Sequence, residues 1–253
     1  MQAFDQSDAN AFISSLIFQD QADAVGMTGL LYLMDAFDCF DGTVIECWLG
    51  YCNYSDGVCE TFDRRRALQM FKAQYRAREA SMDGNISFAP STSPMPLNQL
   101  LETQQADISI TQLWLLDRLW NLCLSHGLLR DASNHPELEY TFACRIARAM
   151  VDTCRTLSLA SMEVHGVGFV EKVYNIATDV ITAVKTSSTI ALDTTAPRLE
   201  EGFPMPRPSI DVAPTVRALL QGVNGFLQEF RGGAQPYHVP FAAAVEEMFR
   251  DLN

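Results

Sequence analysis

The stretch Ile110-Thr-Gln-Leu-Trp-Leu-Leu-Asp-Arg-Leu-Trp-Asn-Leu-Cys-Leu-Ser-His126-Gly127 decides the fold. Helical spacing puts apolar residues on almost every side of it, and Asp117, Arg118 and Asn121 are its strongly polar interior positions. A helix apolar all round either sits inside a bundle or spans a membrane. The charged pair breaks the apolar run well short of the roughly 20 residues that a span needs, so the pattern predicts the central helix of a soluble bundle. Gly127 predicts the stop, because glycine takes the left-handed conformation after a helix without a Cβ penalty.

Working outward, helical periodicity predicts a helix over about 8–20 capped by Asp8, and a second over 22–40 with Leu30, Leu31, Leu33, Met34, Phe37 and Phe40, ending at Gly42. A short helical piece over 45–51 and a helix over 62–80 follow, the latter turning Ala67, Leu68, Phe71, Ala73 and Tyr75 inward and its arginines outward. On the C-terminal side the pattern predicts helices over 136–158, 169–184, 212–230 and 240–252. Proline-rich segments at 81–96 and 185–214 read as surface loops or linkers, and nothing alternates as a strand would. The expected fold class is all-α: one multi-helix bundle over 1–253 with roughly seven to ten helices and two Pro-rich loops.

Charge narrows the function. With 18 Lys plus Arg against 31 Asp plus Glu, the formal net charge is −13, which repels a phosphate backbone, so direct nucleic-acid binding by this chain is not expected. Residues 1–63 hold 11 acidic residues and no Lys or Arg; Arg64, Arg65, Arg66, Lys72, Arg76 and Arg78 then form a basic run. Such a run reads first as a solvated helix face and second as a nuclear-import or acidic-partner patch. The 7 cysteines, an odd number among apolar neighbours, are expected as reduced packed thiols in an intracellular protein.

Three constellations invite chemistry. Cys47, Cys52 and Cys59 suggest zinc, but their spacings of four and six residues lack the tight two-residue pair of a structural site, so packed thiols and no metal are expected. Asp35, Asp38 and Asp41 at i, i+3, i+6 share one helical sector and could hold magnesium and a diphosphate, as in helical terpene cyclases; Asn175 and Asp179 lack the flanking residues of the second metal motif, and a solvated acidic face is expected instead. No nucleophile elbow or histidine pattern predicts a triad. Arg118 is different, since a guanidinium in the most apolar helix must be paired, either with an acid on a neighbouring helix or with an anionic effector, near Trp114 and Trp120. His126 reads as a helix-terminal histidine facing the last carbonyls or as a ligand contact, and Glu163 and His165 as a loop salt bridge or a contact to a partner or a small molecule.

Several segments taken together resemble one family. Leu33-Met-Asp-Ala-Phe-Asp-Cys-Phe-Asp41 with Trp48, Arg66-Ala-Leu-Gln-Met-Phe71, Trp114 through Leu128, Met162-Glu-Val-His-Gly-Val-Gly-Phe-Val-Glu-Lys-Val-Tyr-Asn-Ile176, Phe226-Leu-Gln-Glu-Phe-Arg-Gly-Gly233 and Pro236-Tyr-His238 resemble, in order, the all-helical regulatory region of fungal binuclear zinc cluster transcription factors. The six-cysteine DNA-binding cluster of that family is not in this sequence. The resemblance implies a nuclear, non-enzymatic transcription regulator without cofactor, which contacts the transcription machinery or other regulatory proteins and responds to a small effector. The effector contacts expected are Trp114, Arg118, Trp120, His126 and His165, and the alternative is a metal-dependent enzyme of terpene-cyclase type using Asp35, Asp38 and Asp41.

Overall fold

The computed structural model describes residues 21–55, 58–85, 95–187, 190–192, 195–196 and 215–251. The helix expected over 8–20 and most of the two Pro-rich segments lie outside them. Nine α-helices are formed among the described residues: α1 (Gln21–Phe37), α2 (Gly42–Trp48), α3 (Arg64–Asp83), α4 (Glu102–Ser125), α5 (Phe142–Thr156), α6 (Leu159–Glu163), α7 (Gly166–Thr186), α8 (Val216–Glu229) and α9 (His238–Asp251). The all-α class is the observed one. A single minimal hairpin interrupts it, β1 (Tyr54–Ser55) against β2 (Val58–Cys59), with Tyr54 opposite Cys59. Two residues per strand are too few for the alternation by which a strand is recognised.

The quoted stretch is the axis of the bundle. α4 packs against α1, α3, α5 and α7, and Ile110, Leu113, Leu115, Leu116, Leu119 and Trp120 are wholly buried along it. It begins eight residues before Ile110, at Glu102, because its first turn is polar rather than apolar all round. It ends as the sequence predicts: Gly127 stands at φ +63°, with its N–H donating to Leu124 O at 3.0 Å and that of Leu128 donating to Cys123 O at 2.9 Å. This pair of bonds satisfies carbonyls that would otherwise be left open at the helix end.

Side-chain caps set the other boundaries. Asp41 Oδ1 accepts from Val44 N at 3.0 Å, Asp63 Oδ1 from Arg66 N at 2.7 Å and Thr215 Oγ1 from Ala218 N at 3.2 Å, each satisfying an orphan N–H of a first turn. Gly42 therefore opens α2 rather than closing α1, and Asp41 is bound to a helix start. Pro136 begins a single 3-10 turn, Pro136–Leu138, and α5 starts only at Phe142. Between α5 and α7 the chain forms the short helix α6, which Ser158 caps.

One face of α3 departs from expectation. Arg64, Arg65, Lys72 and Arg76 are exposed, but Arg78 is only 1% exposed and donates to Gln112 Oε1 of α4 at 3.0 Å. Helical periodicity puts position 78 on the same inward face as Phe71 and Gln74, and a buried polar partner on α4 makes the guanidinium tolerable there. α3 closes on Gly84 at φ +79°, where an added Cβ would stand 2.8 Å from the backbone nitrogen of Met95. Gly84→Ala should lower the unfolding free energy by at least about 1–2 kcal/mol, the left-handed penalty alone, as a reduced urea midpoint at unchanged slope.

Candidate functional site

The polar interior of α4 is closed by α7. Arg118 Nη2 reaches Asp117 Oδ2 at 2.6 Å and Asp179 Oδ2 of α7 at 2.9 Å, while Asn121 Nδ2 donates to both Asp179 oxygens at 3.0 Å. The acid on a neighbouring helix that Arg118 requires is thus Asp179. Two buried carboxyls facing one guanidinium cannot both ionise cheaply. Complete burial, reinforced by the charge of Asp179, holds the Asp117 carboxyl well above the usual carboxylate range against the opposing pull of Arg118. Burial raises Asp179 as well, but Arg118 and Asn121 oppose it, so Asp117 is the carboxyl that keeps the proton.

The other expected effector contacts each have a separate partner. Trp120 is fully buried and donates from Nε1 to Glu139 O at 3.0 Å. Trp114 packs against Trp48 of α2 with ring centroids 5.6 Å apart, and Trp48 in turn against Phe40 at 5.8 Å. His165 Nε2 bonds Thr103 O at 2.8 Å, fixing the turn before α7 to the start of α4. Glu163 accepts from the backbone N of Arg231 and its backbone carbonyl accepts from the Arg231 guanidinium, so hydrogen bonds to the main chain hold this loop in place of the salt bridge expected there. Of the three clustered aspartates, Asp41 is engaged in capping α2 and in an ion pair with Arg66, and Asp38 lies exposed after α1.

A pocket of about 360 Å³ opens elsewhere, between α5, α6, α7 and α8. Met150, Val151, Met162, Val173, Val223 and Phe226 supply its apolar walls, and none of the five expected effector residues lines it. Gly222 and Gly225 of α8 also border it, each with open space where a Cβ would stand. Sequence periodicity offered one signal for it: two glycines inside a helix that each cost about 1 kcal/mol relative to alanine.

His126 stands apart from the other four. Its Nδ1 lies 2.8 Å from Leu122 O, the helix-terminal carbonyl contact expected of it, and its Nε2 lies 3.4 Å from Cys52 Sγ. Cys47 and Cys59 complete a group whose ligand atoms all lie within 4.8 Å of one another. The seven thiols are free, as expected, and three of them converge on one imidazole. Cys39, Cys123, Cys144 and Cys154 are not in this group, and burial pushes the Cys39 thiol up to about 11 and those of Cys144 and Cys154 up to about 12, as expected of inert core thiols.

Compared with protein-family models, curated proteins and solved structures, the chain matches none.

The charge network makes a measurable prediction. A carboxyl whose folded pKa is raised binds its proton more tightly in the folded state, so its contribution to stability is full below about 4 and declines as pH rises toward the folded value. Asp117→Asn should therefore flatten the pH dependence of stability above pH 4 and change stability at low pH by no more than about 1 kcal/mol. Asp179→Ala, which leaves Asn121 without its acceptor and Arg118 with Asp117 as its remaining carboxyl, should cost about 1–3 kcal/mol. Urea titrations across pH on the two variants and the parent measure both; an equal loss in the two variants at every pH would refute the assignment of the proton.

Proposed function

We propose that this chain is a non-enzymatic regulatory module of fungal transcription control, acting in the nucleus through protein partners and a small apolar effector. The observation that carries this reading is the pocket between α5, α6, α7 and α8. Its volume suits a small organic molecule, its walls are apolar, and its charged residues, Arg155 and Glu229, are exposed rather than buried together as an acid–base pair would be. Its effector belongs at this pocket rather than at Trp114, Arg118 and Trp120: Asp117 and Asp179 hold Arg118, Glu139 O accepts from Trp120, and the Trp114 ring packs on Trp48, its Nε1 having no hydrogen-bond partner among the described residues. The transcriptional setting rests on the ordered resemblance of the sequence segments.

Surface composition supports the partner half of the reading. Leu30, Met34 and Phe37 stand at i, i+4, i+7 on α1 and are exposed, as are Ile45, Leu49 and Tyr51 around α2. Large apolar side chains gathered on one part of a surface mark interaction sites in soluble proteins. The same stretch of chain lies among the 11 acidic residues of positions 1–63, which favours a basic partner.

Two measurements test the proposal. Tethered to a heterologous DNA-binding module in fungal nuclei, the chain should change expression of a reporter bearing the cognate site; no change in either direction overturns the regulatory reading. Apolar metabolites screened by thermal shift should include one that raises the melting temperature, by the equivalent of about 2.7 kcal/mol at a hundredfold excess over its Kd. Gly222→Leu, which fills the pocket, should abolish that shift while leaving the unliganded protein folded. A shift that survives the substitution places the effector elsewhere.

A further inference from the structure

We infer that Cys47, Cys52, Cys59 and His126 form a structural zinc site, of Cys3His type, that pins the α2 and hairpin segment to the C-terminus of α4. The inference is independent of the regulatory reading. Its basis is distance. Tetrahedral zinc with sulfur at about 2.3 Å and nitrogen at about 2.0–2.1 Å has ligand-to-ligand edges of about 3.5–3.8 Å. Cys47 Sγ and Cys59 Sγ are 3.7 Å apart, and Cys52 Sγ and His126 Nε2 are 3.4 Å apart, so two opposite edges of the tetrahedron already have the required length. The remaining pairs of ligand atoms lie within 4.8 Å. The Cys47 and Cys59 sulfurs are far beyond the roughly 2.05 Å of a disulfide, so the geometry is that of co-ligands.

The surroundings are those of a metal ligand set. Nδ1 of His126 donates to Leu122 O when Nε2 is the unprotonated nitrogen, which is the tautomer a metal on Nε2 demands, and a carbonyl partner of this kind is the usual outer contact of a ligating histidine. Thr61 Oγ1 lies 2.9 Å from Cys47 Sγ and 3.2 Å from Cys59 Sγ, and the N–H of Phe62 points at Cys59 Sγ at 3.4 Å. Donors aimed at sulfur stabilise thiolates. The Phe62 ring, 5.1 Å from the imidazole, closes the apolar side. Cys47, Cys59 and His126 are buried and Cys52 is half-buried, which leaves entry from one side.

Four protein ligands with no place for water define a structural site, not a catalytic one. Binding Zn²⁺ would release the three thiol protons to solvent and leave three thiolates and one neutral imidazole on the metal. The segment 42–62 has cause to need it. It consists of a seven-residue helix and a hairpin of two residues per strand, too little regular structure to be stable alone, yet it carries exposed Ile45, Leu49 and Tyr51.

The test uses the full chain purified under reducing conditions without chelator. Native mass spectrometry and elemental analysis should find one zinc per chain that survives gel filtration. Replacing it with cobalt(II) should give the intense visible bands of a tetrahedral site together with a sulfur-to-cobalt charge-transfer band. Cys52→Ala, at the least buried ligand, and His126→Asn should each weaken metal affinity at least tenfold, and Cys39→Ser should leave it unchanged. A strong chelator should lower the melting temperature of the parent and not that of Cys52→Ala. A folded parent chain that holds no zinc and gives no tetrahedral cobalt spectrum overturns the inference. So does undiminished metal in both ligand variants, or a Cys47–Cys59 disulfide found by mass under the same reducing conditions. Should a variant fail to fold, the intensity of the charge-transfer band in the parent counts the thiolates directly: three supports the site, and one or none refutes it.

Discussion

The structure depends on the burial of most of α4. A helix covered by neighbours on most sides contributes most of its apolar surface to folding, at about 25 cal/mol per Å², but each polar group it carries inward must find a partner or cost several kcal/mol. α4 carries Gln112, Asp117, Arg118 and Asn121 into that environment, and the bundle is arranged around their needs. Arg78 of α3 meets Gln112. Asp179 of α7 meets both Arg118 and Asn121. The same polar contacts that make the burial tolerable also fix the rotation of α3 and α7 against α4, since an apolar seam alone would accept neighbouring registers.

The end of α4 extends this principle to the periphery. Its glycine-stopped terminus holds His126 with one nitrogen toward Leu122 O and the other toward three sulfurs. The α2 and hairpin segment is thereby attached to the end of the central helix, and the aromatic chain Phe40, Trp48, Trp114 leads from that segment back into the same helix. The pocket bordered by α8 is walled by helices that also pack on the core. The apolar cavity there and the apolar surface around α2 are thus separate features of one bundle.

Much of the fold was legible because it follows from local rules. The 3.6-residue periodicity of α3, α7 and α8 and the Gly127 stop are properties of neighbouring residues, and helix starts such as that at Asp63 follow from one side chain bonding one N–H. Where the reading departed from the structure, a longer-range interaction intervened. Arg78 turned inward because Gln112 was there to receive it. Gly42 opened a helix because Asp41, capping α2 and paired with Arg66, drew the boundary one residue earlier. The hairpin between Cys52 and Cys59 was too short to leave a pattern, with two residues in each strand.

Sequence alone determined the all-α class, the central helix and the requirement that Arg118 be paired, because hydrophobic periodicity and the cost of a buried charge act on the residues themselves. Only the tertiary structure decided which residues share a site. His126 is 67 positions from Cys59, and no spacing rule relates them; they meet because α3 returns the chain along α4. The pocket bordered by Gly222 and Gly225 is likewise a gap between four helices, and space between elements is a property of their packing that no single segment encodes.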